Sequence, residues 1–217
     1  MTQLDSSLMQ LVGRRSSVFT RLPLIFAEQL RVPCEFQPIP DMTETAPELY
    51  AGNPALKLPI LRIAGDTVFG AQNICRVITE RAASMGNPAA AGVVWPEALR
   101  DPLSRNAQEL VWHCMAAQVQ LVMGTVLGKL PADNIFFVKA RAGLEGSLSW
   151  LDANLAQALR QLPEARELSL FEVSLFCLIE HLAFRPTVPM AAHAHLADFV
   201  ARFGRQEAAH RTAYRFD

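Results

Sequence analysis

The sequence predicts a two-part fold: an α/β domain over residues 1–83, a linker over 84–98 and an all-helical domain over 99–217. Three observations lead there. The first 39 residues read as strand, helix, strand. Two short apolar runs then flank Ala64-Gly65 as a hairpin, with a helix behind them. Beyond Ser84–Gly92, which is rich in Gly, Ala and Pro, only helical spacing recurs.

Ser7 to Val12 is a short apolar run ended by Gly13, which suits a buried strand. After the polar turn Arg14-Arg15-Ser16-Ser17, residues Val18, Leu22, Ile25, Phe26 and Leu30 recur at helical spacing. Ser16 or Ser17 is a natural N-cap, and Pro23 removes one donor early in the helix. Pro33 precedes a second strand, Cys34 to Ile39. A strand, helix and strand in this order imply a parallel pair with a right-handed crossover. A short polar helix is expected from Met42 to Tyr50. Then come a proline-punctuated loop, Asn53-Pro-Ala-Leu-Lys-Leu-Pro59, the strands Ile60–Ile63 and Asp66–Phe69, and a helix from Ala71 to Ala83.

In the second part, Leu110, Cys114, Ala117 and Leu121 share one helical face. Phe137, Ala140, Leu144, Leu148, Leu151, Leu155 and Leu159 share another. Ser169-Leu-Phe-Glu172 has the spacing of a capping box, in which the Ser and Glu side chains satisfy two unpaired N–H groups. It opens an apolar helix from Val173 to Phe184. Leu196, Phe199, Val200 and Phe203 mark the last helix, and no strand is expected here.

Composition narrows the function classes. Twenty basic residues face 21 acidic ones, which argues against a polyanion partner such as nucleic acid. No unbroken apolar run approaches the ~18–20 residues of a membrane span. The N-terminus lacks the pattern of a signal peptide, so a cytoplasmic setting is expected. Cys34, Cys75, Cys114 and Cys177 are scattered without ligand spacing, so neither a disulfide framework nor a metal site is expected. His193 and His195, two apart, do not share a helix face.

Three stretches, in this order, resemble the glutathione transferase family. Asn53-Pro-Ala-Leu-Lys-Leu-Pro59 with Ile60-Leu61 is similar to the family segment N-P-x-x-(K/Q)-V-P-x-L, whose proline is cis. Arg15-Ser-Ser-Val-Phe-Thr-Arg21 resembles the serine-bearing loop of the zeta-like and related serine classes. Ser169 to Glu172, followed by His181-Leu-Ala-Phe-Arg185, resembles the capping box and helix of the C-terminal domain. The resemblance covers nearly the whole chain. It implies a thioredoxin-like first domain, an all-helical second domain, a homodimer and glutathione as co-substrate.

Glutathione reacts as a thiolate, so a protein that uses it must lower the thiol pKa. By the resemblance, a hydroxyl at the first helix's N-terminus donates to the sulfur, where the helix dipole also favours an anion. Ser16 is the first candidate and Ser17 the second. The competing reading is that one of them only caps the helix. Leu58, before the cis Pro59, would hold the peptide backbone by strand-like pairing. Lys57 would meet the glycyl carboxylate or is merely solvated. On the first long helix of the second domain, Trp112 and Met115 line an acceptor pocket or belong to the core.

One place departs from the family pattern. An acidic residue or Gln followed by Ser normally meets the γ-glutamyl group, and Gly70-Ala71 stands there. Backbone N–H groups at that helix start, or Gln72 or Asn73 with the turn shifted by one residue, would have to substitute. Two main readings follow: an enzyme that adds glutathione to a small electrophile, or a non-catalytic binding or scaffold protein on the same fold. A third is zeta-like isomerisation of a small unsaturated diacid, although Val18 stands where that class has Cys.

Overall fold

A computed structural model describes residues 8–39, 41 and 43–217. The expected strand start at Ser7 and helix start at Met42 lie outside these residues. The chain divides into two compact units, one made of residues up to Ala91 together with Glu207–Asp217, the other of Gly92–Gln206.

In the first unit, β1 (Met9–Gly13) and β2 (Cys34–Pro38) are parallel, with Met9 opposite Cys34 and Gly13 opposite Pro38. Helix α1 (Val18–Gln29) makes the crossover. Strand β3 (Ile60–Ile63) runs antiparallel to β1, and β4 (Asp66–Phe69) runs antiparallel to β3. The sheet order is β2-β1-β3-β4. Ala64 and Gly65, with φ of 52° and 87°, make the hairpin turn, a left-handed pair matched to strand twist. This mixed sheet and its helices form the expected thioredoxin-like domain.

Leu22, Ile25 and Phe26 of α1 and Ile74, Cys75 and Ile78 of α2 (Ala71–Ser84) are fully buried. A second cluster, Val12, Ile39, Tyr50 and Ile60, is joined by Leu56 and Leu58 from the proline loop. The helix expected before Tyr50 is only a 3₁₀ turn, Pro47–Tyr50. The Asp41 carboxylate accepts the Thr43 N–H at 2.8 Å and the Thr43 hydroxyl at 2.7 Å. That local turn competes with helical bonding.

The second unit is helical: α3 (Pro102–Leu121), α4 (Ile135–Arg160), α5 (Leu170–Phe184) and α6 (Ala194–Phe203). The buried face of α3 is set by Ala107, Val111, Cys114, Met115 and Leu121, with Leu110 and Ala117 only half-buried. A single wide π turn, Val122–Leu127, ends it. Gly124 lies there against Phe137, since a Cβ would fall 2.3 Å from that ring. The helical stretch Pro102–Leu127, with mean hydropathy 1.4, has the length and composition of a membrane span, and a third of that window is buried. Polar and charged residues such as Arg105, Glu109 and His113 interrupt the stretch, so it is not an unbroken apolar run.

Two details differ from expectation. Val93–Val94 and Leu168–Ser169 pair as a two-residue parallel ladder, β5 and β6. Ser169 does cap α5, its Oγ accepting the Glu172 N–H at 3.0 Å. The Glu172 carboxylate, however, takes Arg166 in a two-point bond, 2.7 Å to Nε and 2.7 Å to Nη2. A charge-assisted fork wins over a reciprocal bond to backbone.

Candidate functional site

The sheet register gathers the candidate residues of the first unit. Val12, one residue before the end of β1, faces Ile60 at the start of β3. Ile60 also faces Phe69 at the end of β4. The Arg14–Ser17 turn, the Lys57–Pro59 loop and the Gly70–Gln72 helix start therefore leave the sheet at the same end. Segments far apart in sequence come to one end of the sheet because β1, β3 and β4 alternate in direction.

At the first segment, the Ser17 N–H donates to the Arg14 carbonyl at 3.0 Å and closes the turn. Ser17 is the N-cap of α1, with extended φ and ψ of −94° and 128°, and its Oγ accepts the Thr20 N–H at 3.3 Å. A hydroxyl has two acceptor sites and one proton, so this cap leaves the proton available for donation. Capping and thiol donation are therefore compatible in one side chain. Ser17 is half-buried, whereas Ser16 is only 8% exposed. Gly13 lets α1 start close to β1: a Cβ there would lie 2.5 Å from Thr20 Cγ2.

The second segment has a cis Leu58–Pro59 bond, as the resemblance implies. Asn53 organises this loop. It is 4% exposed, its Oδ1 accepts the Ala55 N–H at 3.0 Å and its Nδ2 donates to the Lys57 carbonyl at 2.8 Å. The Asn-Pro pair is a turn signal in the sequence, but the pattern does not show that the Asn side chain bonds both arms of the loop. Leu58 is half-buried, Pro59 buried and Lys57 exposed.

The third segment carries no side-chain cap. Gly70 is the N-cap of α2 with φ 87° and ψ 133°. The Asn73 amide Nδ2 donates to the Phe69 carbonyl at 3.1 Å, which braces the turn from below. Ala71 is buried and Gln72 half-buried. The helix start thus offers backbone donors to an anion, with no carboxylate from residue 70 or 71 to meet an ammonium group.

Charge at the first segment is mostly positive. Arg15 lies with its guanidinium carbon 4.1 Å from the Phe36 ring centroid. Burial pushes this guanidinium below its ordinary value, Arg215 pushes the same way, and Asp217 opposes both.

In the second unit, Met115 is fully buried in the core and Trp112 is half-buried. An open groove of about 520 Å³ between α3 and α4 is lined by His113, Ala117, Gln120, Phe136 and Lys139 among others, and by neither Trp112 nor Met115. Among the described residues, no group of three or more His, Cys, Asp or Glu is placed to hold a metal ion. His195 instead contacts Asp152, Nδ1 to Oδ2 at 3.2 Å.

The family model of the glutathione S-transferase N-terminal domain matches residues 11–88. No curated protein matches the sequence significantly. Several solved structures share the fold over almost the full chain. A glutathione S-transferase from Methylobacillus flagellatus with glutathione bound is 18% identical, with TM-score 0.74 over 95% of this chain and 100% of its own. One from Methylobacterium radiotolerans, in complex with glutathione sulfonate, is 18% identical, with TM-score 0.74 over 96% of each chain. A glutathione transferase from Populus trichocarpa is 16% identical, with TM-score 0.67 over 95% of this chain and 98% of its own.

Proposed function

We propose that this chain, whose residues 11–88 belong to the glutathione S-transferase N-terminal domain family and which carries the glutathione transferase fold throughout, binds glutathione and activates its thiol for attack on a small electrophile. One observation carries the reading: a half-buried serine hydroxyl caps α1 at the sheet end where the Leu58–Pro59 loop also lies. Ser17 is the favoured donor, because its oxygen already accepts a backbone N–H and keeps its own proton. Ser16, more deeply buried, is second. The N-terminus of α1 supplies a field that favours the thiolate. The Leu58 backbone would hold the cysteinyl unit, Lys57 the glycyl carboxylate, and the N–H groups from Ala71 onward the γ-glutamyl carboxylate. The acceptor pocket would include Trp112. The same reading expects a cytoplasmic homodimer, with a mass in light scattering of twice 24.0 kDa.

A second reading is favoured by Gly70-Ala71: a binding or scaffold protein that keeps the fold without the chemistry. Retention on immobilised glutathione, followed by conjugation of a model electrophile, separates the two. We expect retention, a loss of roughly 10²-fold in conjugation for Ser17→Ala, as for removal of one transition-state donor, and less than about threefold for Ser16→Ala. Flow-through, or retention without conjugation, would leave the scaffold reading, whereas conjugation unaffected by both substitutions would overturn the choice of serine donor.

A further inference from the structure

Residues 207–217 lie along α1 at three levels. Near its C-terminus, Arg211 Nη1, on the short helix α7 (Glu207–Arg211), pairs with Glu28 Oε2 at 3.5 Å. In its first turn, Arg21 Nη2 donates to the Ala209 carbonyl at 3.1 Å, and the Arg21 guanidinium lies 4.4 Å from the Tyr214 ring centroid. Arg21 is 1% exposed, so this contact is sealed from water. At the N-terminal end, Asp217 Oδ2 accepts the Arg15 N–H at 2.9 Å, and Oδ1 lies 3.8 Å from Arg15 Nε. The Asp217 side chain is 11% exposed. Arg15 is the second residue of the turn that Ser17 closes onto Arg14. The carboxylate therefore grips the turn from outside, one residue before the serine pair.

We propose that the C-terminal segment is a strap that sets the serine turn, and that Asp217 is a positioning residue for thiol activation at Ser17. The thiol part rests on the function proposed above; the strap does not. The bond to Arg15 N–H fixes the backbone from which both hydroxyls project. The Asp217 charge lies beside the helix end that is to stabilise a thiolate, and Arg15 and Arg215 offset it. An amide in place of the carboxylate keeps the acceptor and removes the charge. An alanine removes both.

Asp217→Ala and Asp217→Asn in the full chain separate these effects. Without glutathione, amide exchange over residues 14–19 should quicken about tenfold in the Ala variant and stay within about twofold of wild type in the Asn variant. With glutathione, kcat should fall about tenfold in the Ala variant with KM for glutathione little changed, and Asn should restore most of it. The ultraviolet thiolate signal of bound glutathione should titrate at lower pH in the Asn variant than in wild type, where a nearby negative charge is gone and the turn is kept, and at higher pH in the Ala variant than in the Asn variant, because the charge is gone from both but only Ala loses the turn. Unchanged exchange over residues 14–19 in Asp217→Ala, or exchange quickened equally throughout the protein, overturns the strap. Faster local exchange with unchanged kcat and titration in a protein that does bind glutathione overturns the positioning role. If the wild type fails to bind glutathione, the proposed function falls while the exchange measurement still decides the strap.

Discussion

The Cys34 thiol is half-buried at the start of β2, and burial, partly offset by a hydrogen bond at the Leu11 backbone, pushes its pKa up to about 11. Desolvation penalises the thiolate, so the proton is held longer than in an open cysteine. At pH 8 the thiolate fraction is then on the order of 0.1%, against roughly a quarter for an unperturbed thiol of pKa about 8.5. Alkylation of Cys34 in the folded protein should be about a hundredfold slower than that of a free thiol at pH 8, and should rise about tenfold per pH unit up to pH ~11. Iodoacetamide labelling followed by peptide mapping checks this; a plateau near pH 9 would contradict it. Cys114, pushed up to about 12 by burial, and the buried Cys75 and Cys177 are further from reaction still. None of the four is suited to a mixed-disulfide mechanism, which agrees with the proposed use of a bound thiol as the nucleophile. Asn53 belongs to the same scale. One buried amide uses both its ends to fix the loop that carries Lys57 and Leu58, and a conservative-looking change to Asp there would lose the bond to the Lys57 carbonyl.

At the level of elements, the proposed function makes the start of α2 the place that sets how well the γ-glutamyl unit is held. Gly70 sits at φ 87°, a region that L side chains rarely adopt, although little lies near its missing Cβ. Restoring an acidic side chain there meets backbone strain, whereas a hydroxyl at residue 71 needs no change of backbone. Ala71→Ser should tighten glutathione about tenfold, the worth of one hydrogen bond to a charged group, and Gly70→Glu should not tighten it beyond about twofold. Calorimetric titration of the two variants tests this, and tighter binding by Gly70→Glu would refute the strain argument. The elements themselves were largely legible. Short apolar runs with a Gly at the turn mark β3 and β4, Ser16 or Ser17 marks the start of α1, and Ser169 marks that of α5. The partners of those elements were not. Glu172 turns to Arg166 instead of back to Ser169, because sequence spacing records who is near but not which acceptor geometry wins. The 3₁₀ turn at Pro47–Tyr50 was overread as a helix because Asp41 and Thr43 bond to each other first.

For the whole molecule, the least legible feature is residues 207–217. Arg211 pairs with Glu28, Tyr214 reaches Arg21 of α1 and Asp217 reaches Arg15 in the turn before it, from about 190–200 residues away in sequence. No local pattern encodes such a partner, since the information lies in the arrangement of the entire first unit. The candidate site was legible in its parts and not in its strength: the motifs name the scaffold, and the missing dipeptide bears on the affinity. Linkage turns that into a prediction for the intact protein. A ligand that binds only the folded state stabilises it by RT ln(1 + [L]/Kd). Losing two side-chain contacts of roughly 1.5–3 kcal/mol each would move a micromolar ligand to about millimolar Kd. At a Kd of about 1 mM, glutathione at about 10 mM then stabilises by about 1.4 kcal/mol. For a chain of this length that raises Tm by about 3–5 °C. An intact micromolar site would instead give more than about 5 kcal/mol and a shift well above 10 °C. Thermal unfolding with glutathione, and with a matched dipeptide lacking the γ-glutamyl group, distinguishes three cases. A modest shift with glutathione alone supports a weakened enzyme site. A large shift shows that the backbone donors at α2 suffice without the dipeptide, and no shift leaves the scaffold reading.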